Sequence, residues 1–97
     1  MNAWVYILRC ADGSYYVGST RGSLELRLAQ HNDGTFGGWT AARRPVTMVF
    51  SEGFDSIADA VTVERRLKGW SRVKKEALIR GDLDALRLLA RGRNRSG

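Results

Sequence analysis

The hydrophobic positions of this chain change their period three times. Ala3 to Cys10 (AWVYILRC) and Ser14 to Thr20 (SYYVGST) are short, aromatic-rich apolar runs. Both read as β-strands, with Asp12-Gly13 as the turn between them. From Ser23 to Asn32 the period lengthens. Leu24 and Leu28 mark a helical stripe there, and Gly34 stops it. Alternation returns at Val46, Met48 and Phe50, which predicts a third strand over Val46 to Ser51 with its apolar side chains on one face. Ser56 opens a second helix that runs to Gly69, with Asp59 in the capping-box position. Its inward stripe starts at Ile57, Ala60 and Val61, and Val63, Leu67 and Trp70 widen it. Ser71 caps a third helix ending at Gly81, and Asp82 caps a fourth over Leu83 to Arg91. The order β-β-α-β-α-α-α predicts an α+β fold: a small, largely antiparallel three-stranded sheet flanked by helices. Residues 1–91 form one domain, and 92–97 (GRNRSG) a disordered basic tail.

Three residues break this pattern. Arg27 and His31 fall on the stripe of Leu24, at offsets +3 and +7, and Glu64 continues the stripe of Ile57 at +7. An ionised side chain rarely faces a core unless a partner of opposite charge meets it. A structural Arg27–Glu64 ion pair would satisfy both charges. A shared anionic-ligand site would do so as well, and two helices that each turn polar groups inward favour it.

The hairpin offers a parity test. A two-residue loop, Asp12-Gly13, puts Tyr6 and Tyr16 on opposite faces. A three-residue loop, Ala11-Asp12-Gly13, pairs Cys10 with Ser14, sets Tyr6 opposite Gly18, and puts both tyrosines on one face. Turn chemistry permits either loop, and a common site requires the second. In that register the space over Gly18 is open beside the Tyr6 ring.

Charge narrows the partner class. The chain carries a net +6, but residues 1–63 hold five Arg against six acids, and residues 64–97 hold eleven Lys and Arg against four acids. A basic C-terminal third fits a polyanion, most often nucleic acid. Lys68, Lys74 and Lys75 are its candidate phosphate contacts. No apolar run approaches the roughly 20 residues that span a bilayer, so a membrane partner is not expected. No signal-peptide pattern opens the chain, and a cytoplasmic location is expected. The lone Cys10 leaves no intrachain disulfide and reads as a small buried residue. Between the first helix and the third strand lies DGTFGGWTAARR (33–44), long for a connection in so small a domain. Its Phe36 and Trp39 could stack on bases while Arg43 and Arg44 follow phosphates. Alternatively, the aromatics pin the loop to the core.

Trp4-Val5-Tyr6 and Tyr16-Val17-Gly18 resemble the two signatures of the GIY-YIG nuclease superfamily, with Trp in place of the first Gly. The hairpin, Arg27 on the helix that follows, His31 one turn later, and Glu64 on the next helix extend the likeness. VYILRCADGSYYVGST, LRLAQHNDG and ARRPV (42–46) are especially similar to its small stand-alone bacterial members. These are relatives of the nuclease modules in homing endonucleases and excision-repair nuclease subunits. The resemblance covers roughly residues 2–80. It implies catalytic-site positions at Tyr6, Tyr16, Gly18, Arg27 and Glu64, and His31 matches a histidine of part of the superfamily. Some members carry a late polar residue, often Asn; here only Ser71 or Lys74 could stand in.

The implied reaction is metal-dependent endonucleolytic hydrolysis of phosphodiesters, selective for structure rather than sequence. One well-placed carboxylate suits a single Mg²⁺ or Mn²⁺ held by Glu64, with waters and phosphate completing the shell. Arg27 would bind the scissile phosphate. Tyr6, ahead of Tyr16, would act as base with His31 as proton relay. Arg27, the metal or a protonated His31 would lower the tyrosine's pKa. The expected partner is nucleic acid, DNA ahead of RNA. The rival function is a nucleic-acid-binding module that does not cut, or cuts only with a partner. A third is an interaction protein whose basic segment docks on an acidic protein.

Overall fold

The computed structural model describes residues 2–35 and 37–84. Its elements are β1 (Ala3–Arg9), β2 (Tyr15–Thr20), α1 (Leu24–Asp33), α2 (Gly38–Ala41), β3 (Thr47–Phe54), α3 (Ile57–Lys68) and α4 (Arg72–Arg80). The three strands form one antiparallel sheet in the order β2-β1-β3, so β1 is central and β2 is an edge. This is the expected α+β architecture and element order, with one addition. A single turn of helix, α2, forms inside the Gly-rich connection. Of the expected fourth helix (83–91), Leu83 and Asp84 are described and are helical; residues 85–91 lie outside the described residues, as do the tail 92–97 and Phe36.

The hairpin adopts the three-residue loop. Cys10 N–H donates to Ser14 O at 2.8 Å, and Gly13 takes the left-handed φ of 85° that this loop needs. Tyr6 therefore pairs with Gly18 and Leu8 with Tyr16. Helix starts follow their caps. Ser23, Ser56 and Ser71 each accept a first-turn N–H, and α1 and α4 end on left-handed Gly34 and Gly81.

Strand parity divides the core in two. Ala3, Val5, Ile7 and Val17 face Ala60 and Leu67 of α3. Tyr6, Leu8 and Cys10 face the other way, against Leu24 and Leu28 of α1. Helices α1 and α3 therefore cover opposite faces of the sheet. The third strand departs from expectation in two respects. It extends to Phe54, because Ala3, Trp4 and Val5 take Phe54, Gly53 and Glu52 as partners. The register also slips between Ile7 and Leu8. This bulge leaves Val46 and Met48 on the α1 face but turns Phe50 to the α3 face.

Candidate active site

The site forms around the exposed edge of β2, at Gly18. On the α1 face, Tyr6 and Gly18 sit side by side on neighbouring strands. A Cβ on Gly18 would lie 2.5 Å from the Tyr6 hydroxyl oxygen and 2.6 Å from Cζ. The space over Gly18 is thus not open, as parity alone suggested; the Tyr6 phenol occupies it. Ser23 fixes the phase of α1, so Arg27 and His31, one turn apart, point down onto this face. Arg27 donates from a terminal guanidinium nitrogen to Thr20 Oγ1 at 3.0 Å.

His31 is 3% exposed, so it lies at the floor of the site and not at its rim. Its Nε2 is 3.1 Å from the Tyr6 hydroxyl, and its Nδ1 is 3.0 Å from Thr40 Oγ1. Burial, then the positive charge of Arg27, pushes the imidazole pKa down. Both effects favour the neutral ring, which speaks against a protonated His31 as the cation that activates a tyrosine. Burial, followed by the charge of Tyr16, pushes the Tyr6 phenol well above its ordinary range. Tyr6 rests as a neutral phenol with a neutral imidazole beside it.

Glu64 arrives from the other face of the sheet. It sits on α3 and meets Ser19, whose side chain points away from the face that Tyr6, Tyr16 and Gly18 share. The Ser19 hydroxyl donates to Glu64 Oε1, and Lys68 Nζ lies 2.7 Å from Oε2. Burial works against the charged carboxylate. The bonds from Lys68 and Ser19 and the charge of Lys68 outweigh it and hold the group below the usual carboxylate range. The ionic partner of Glu64 is therefore its helix neighbour, one turn on.

Because β2 is an edge strand, groups from both faces open into one cavity of about 380 Å³. Tyr6, Tyr16, Arg27, His31 and Glu64 all line it, with Gly18 at the strand edge. Among the described residues that line it, Glu64 is the one carboxylate. Trp39 forms a further wall. It is 42% exposed and stacks on Tyr16 with ring centroids 6.2 Å apart.

Comparison with known proteins places the chain in a family. The model of the GIY-YIG catalytic domain matches residues 2–77. The chain belongs to the GIY-YIG family. Within it, the chain is 45% identical over 75 residues to a UPF0213 protein of Halobacterium salinarum, covering 77% of this chain and 96% of that one. It is 44% identical over 78 residues to a UPF0213 protein of Bacillus pumilus, covering 80% and 79%. Two solution NMR structures are similar over 84% of the chain. One is a UPF0213 protein from Bacillus halodurans (TM-score 0.54, 38% identity, 86% of that chain). The other is a protein from E. faecalis (TM-score 0.57, 37% identity, 85% of that chain). The GIY-YIG family is a nuclease family, which makes nucleic acid the class of substrate.

The basic residues expected to touch nucleic acid have diverse surroundings in this GIY-YIG domain. Lys68 and Lys75 line a second cavity beside the first. Lys74 is 8% exposed, with its ammonium 4.1 Å from the centroid of Trp70. Packing of α4 against the sheet turns that lysine inward, so it is a structural residue and not a surface phosphate contact. Arg43 pairs with Asp12 at 3.2 Å, donates to Trp39 O at 2.9 Å and lies over the Trp39 ring. Arg44 donates to Ala41 O and Asn32 O. Both arginines fasten the loop. Ser71 caps α4 and does not line the cavity, so neither residue weighed for the late polar position reaches it.

Sequence reasoning missed Ser19, Thr20 and Thr40, which bond Glu64, Arg27 and His31. Parity gave Ser19 and Thr20 their faces but not their partners. Thr40 carried no signal, because α2 forms within a run that reads as loop.

Proposed function

We propose that this GIY-YIG domain is a divalent-metal-dependent endonuclease that hydrolyses phosphodiesters and selects substrate structure over sequence. One observation carries the reading: Tyr6, Tyr16, Arg27, His31 and Glu64, drawn from four elements and both faces of the sheet, open into one cavity. Likeness to homing and excision-repair nuclease modules directs it to DNA ahead of RNA.

The donor set fits a single hard cation. Glu64 offers one ionised carboxylate, and no group of three His, Cys, Asp or Glu side chains converges elsewhere among the described residues. Mg²⁺ and Mn²⁺ suit such a site, because they keep several waters and complete their shell with phosphate oxygen. When bound there, the ion would supply Lewis-acid stabilisation of charge growing on the phosphoryl and leaving oxygens.

The chain's own residues supply the rest. Arg27, held by Thr20, presents its guanidinium to the phosphate and offsets the charge that builds during attack. Tyr6 and His31 act as a coupled base. With the His31 proton on Nδ1, that N–H donates to Thr40 and Nε2 accepts the Tyr6 hydroxyl. Water can then lose a proton to the Tyr6 oxygen as the phenolic proton passes to Nε2. This route avoids a free phenolate and leaves the positive charge on His31, where the anionic phosphate in the cavity offsets the cost of burying it. Tyr16 walls the cavity beside the reacting group. The groups facing it address phosphate or offer ring faces, and neither reads base edges.

Incubation with labelled single-stranded, duplex, flap and junction substrates in Mg²⁺ and Mn²⁺ tests the reading. Cleavage should need the metal and fall by about 10²- to 10³-fold or more in Glu64→Gln. If wild type and Glu64→Gln both bind substrate and neither cuts, the domain is a binding module. Equal cutting by both would assign the activity elsewhere.

A further inference from the structure

The carboxylate assigned to the metal is engaged on both oxygens. Ser19 donates to Oε1, and the Lys68 ammonium lies 2.7 Å from Oε2. The two partners differ in freedom. Ser19 is fixed in β2. Lys68 sits one turn along α3, its side chain 53% exposed against 16% for Glu64, on a flexible four-carbon stem. A dication at this carboxylate would meet the ammonium at contact range, where like charges repel strongly. Of the two partners, Lys68 is the one able to leave.

The displaced ammonium has a place to go. A cavity of about 210 Å³ shares Tyr16 and Trp39 with the active site, and Lys68 lines it together with Lys75, Tyr15 and Val17. Among the described residues lining this groove there are two lysines and no acid. Its chemistry suits a phosphate, and its position beside the cavity of Arg27 suits the phosphate next to the scissile one. Trp39, half-exposed, is common to both cavities and so lies between the two phosphate positions.

We propose that Lys68 is an exchange residue, paired with Glu64 in the metal-free protein and released by metal into the Lys75 groove to hold a flanking phosphate. The inference rests on the endonuclease reading above and adds a linkage to it. Metal and polynucleotide both favour the released lysine, so each raises the other's affinity by the same factor. The metal-free protein keeps its carboxylate neutralised, and the substrate brings the anion that takes over the lysine.

The test compares the full chain with Lys68→Met, Lys75→Met and Glu64→Gln. Free Mn²⁺ is followed by electron paramagnetic resonance without nucleic acid. Binding of a labelled, cleavage-resistant oligonucleotide is then measured by anisotropy with and without Mn²⁺. Lys68→Met should bind Mn²⁺ about two- to fivefold more tightly, the range of a half-exposed ion pair. Lys75→Met should change Mn²⁺ binding less than that, yet weaken oligonucleotide binding with and without metal. The gain in oligonucleotide affinity that Mn²⁺ produces should shrink in Lys68→Met. Matched melting curves establish folding, and Lys68→Gln replaces the Met variant if its curve departs. Unchanged or weaker Mn²⁺ binding by a folded Lys68 variant overturns the exchange. If that occurs while Glu64→Gln loses Mn²⁺, the metal site stands and only the exchange fails. Wild-type Mn²⁺ affinity in Glu64→Gln removes the metal site itself.

Discussion

The Tyr6 hydroxyl lies 3.1 Å from His31 Nε2, and the imidazole's other nitrogen lies 3.0 Å from Thr40. The buried ring thereby has a partner for each nitrogen, and neither bond requires it to be charged. This gives the pair a defined pH behaviour. His31 has a folded pKa below the roughly 6.5 of a free histidine. Between those two values the unfolded chain binds the extra proton. His31 therefore contributes stability that is full above about pH 6.5 and is lost as pH falls through the folded value. Thermal melts from pH 8 to pH 5 should show a decline that flattens in His31→Gln. A wild-type decline that persists unchanged in the variant would assign it to other groups. Cleavage, which uses the neutral ring as acceptor, should fall over the same acid limb.

Gly18 should tolerate no side chain while Tyr6 is present. Its backbone needs no left-handed conformation, so the objection is purely steric: a Cβ at 2.5 Å from the Tyr6 oxygen must displace the phenol. Gly18→Ala should cost about 1–3 kcal/mol of stability and cut activity sharply. In a Tyr6→Ala background the same change should cost much less stability, a coupling that a double-mutant cycle on melting temperatures reads directly. Additive effects would mean that the ring is not what excludes the methyl.

Adjacent lysines should behave differently. Lys75→Glu should weaken nucleic-acid binding. On duplex DNA, removing one phosphate-neutralising cation should lower the slope of log K against log salt by about 0.9. Lys74→Glu should act on folding instead, because it removes a buried cation from the face of Trp70. A destabilisation of about 2 kcal/mol is the scale for a desolvated cation–π pair of this kind. Equal salt slopes for wild type and Lys75→Glu would remove Lys75 from the interface.

Trp39 separates a stacking platform from a loop anchor. Trp39→Ala should weaken oligonucleotide binding by about 1–3 kcal/mol, the scale of one base stacked on an aromatic ring. Arg43→Ala releases the ring from Asp12 and the hairpin turn, and should weaken binding by a smaller amount through a less fixed indole. If Trp39→Ala lowers the melting temperature and leaves binding intact, the ring serves the loop alone.

Much of this molecule follows from local pattern. Apolar period placed all three strands and the helices α1, α3 and α4, because backbone hydrogen bonding and one-sided burial act over a few residues. Turn chemistry left two hairpin loops open, and a site shared by Tyr6 and Tyr16 required the three-residue one that the structure adopts. Charges on apolar stripes marked Arg27, His31 and Glu64, because a folded chain rarely buries such groups without a purpose. The tertiary structure decided how these groups meet. They come from opposite faces of the sheet and join only because β2 is an edge strand, a fact of strand order that no local period encodes. Ser19 and Thr40 acquired their roles from partners 45 and 9 residues away. The bulge at Ile7/Leu8 turned Phe50 to the other face, and α4 packing drew Lys74 onto Trp70 while Lys75 kept to the groove. A stripe gives the direction of a side chain about its own axis. Which atom it reaches depends on how axes distant in sequence are set against one another, and packing of the whole domain fixes that.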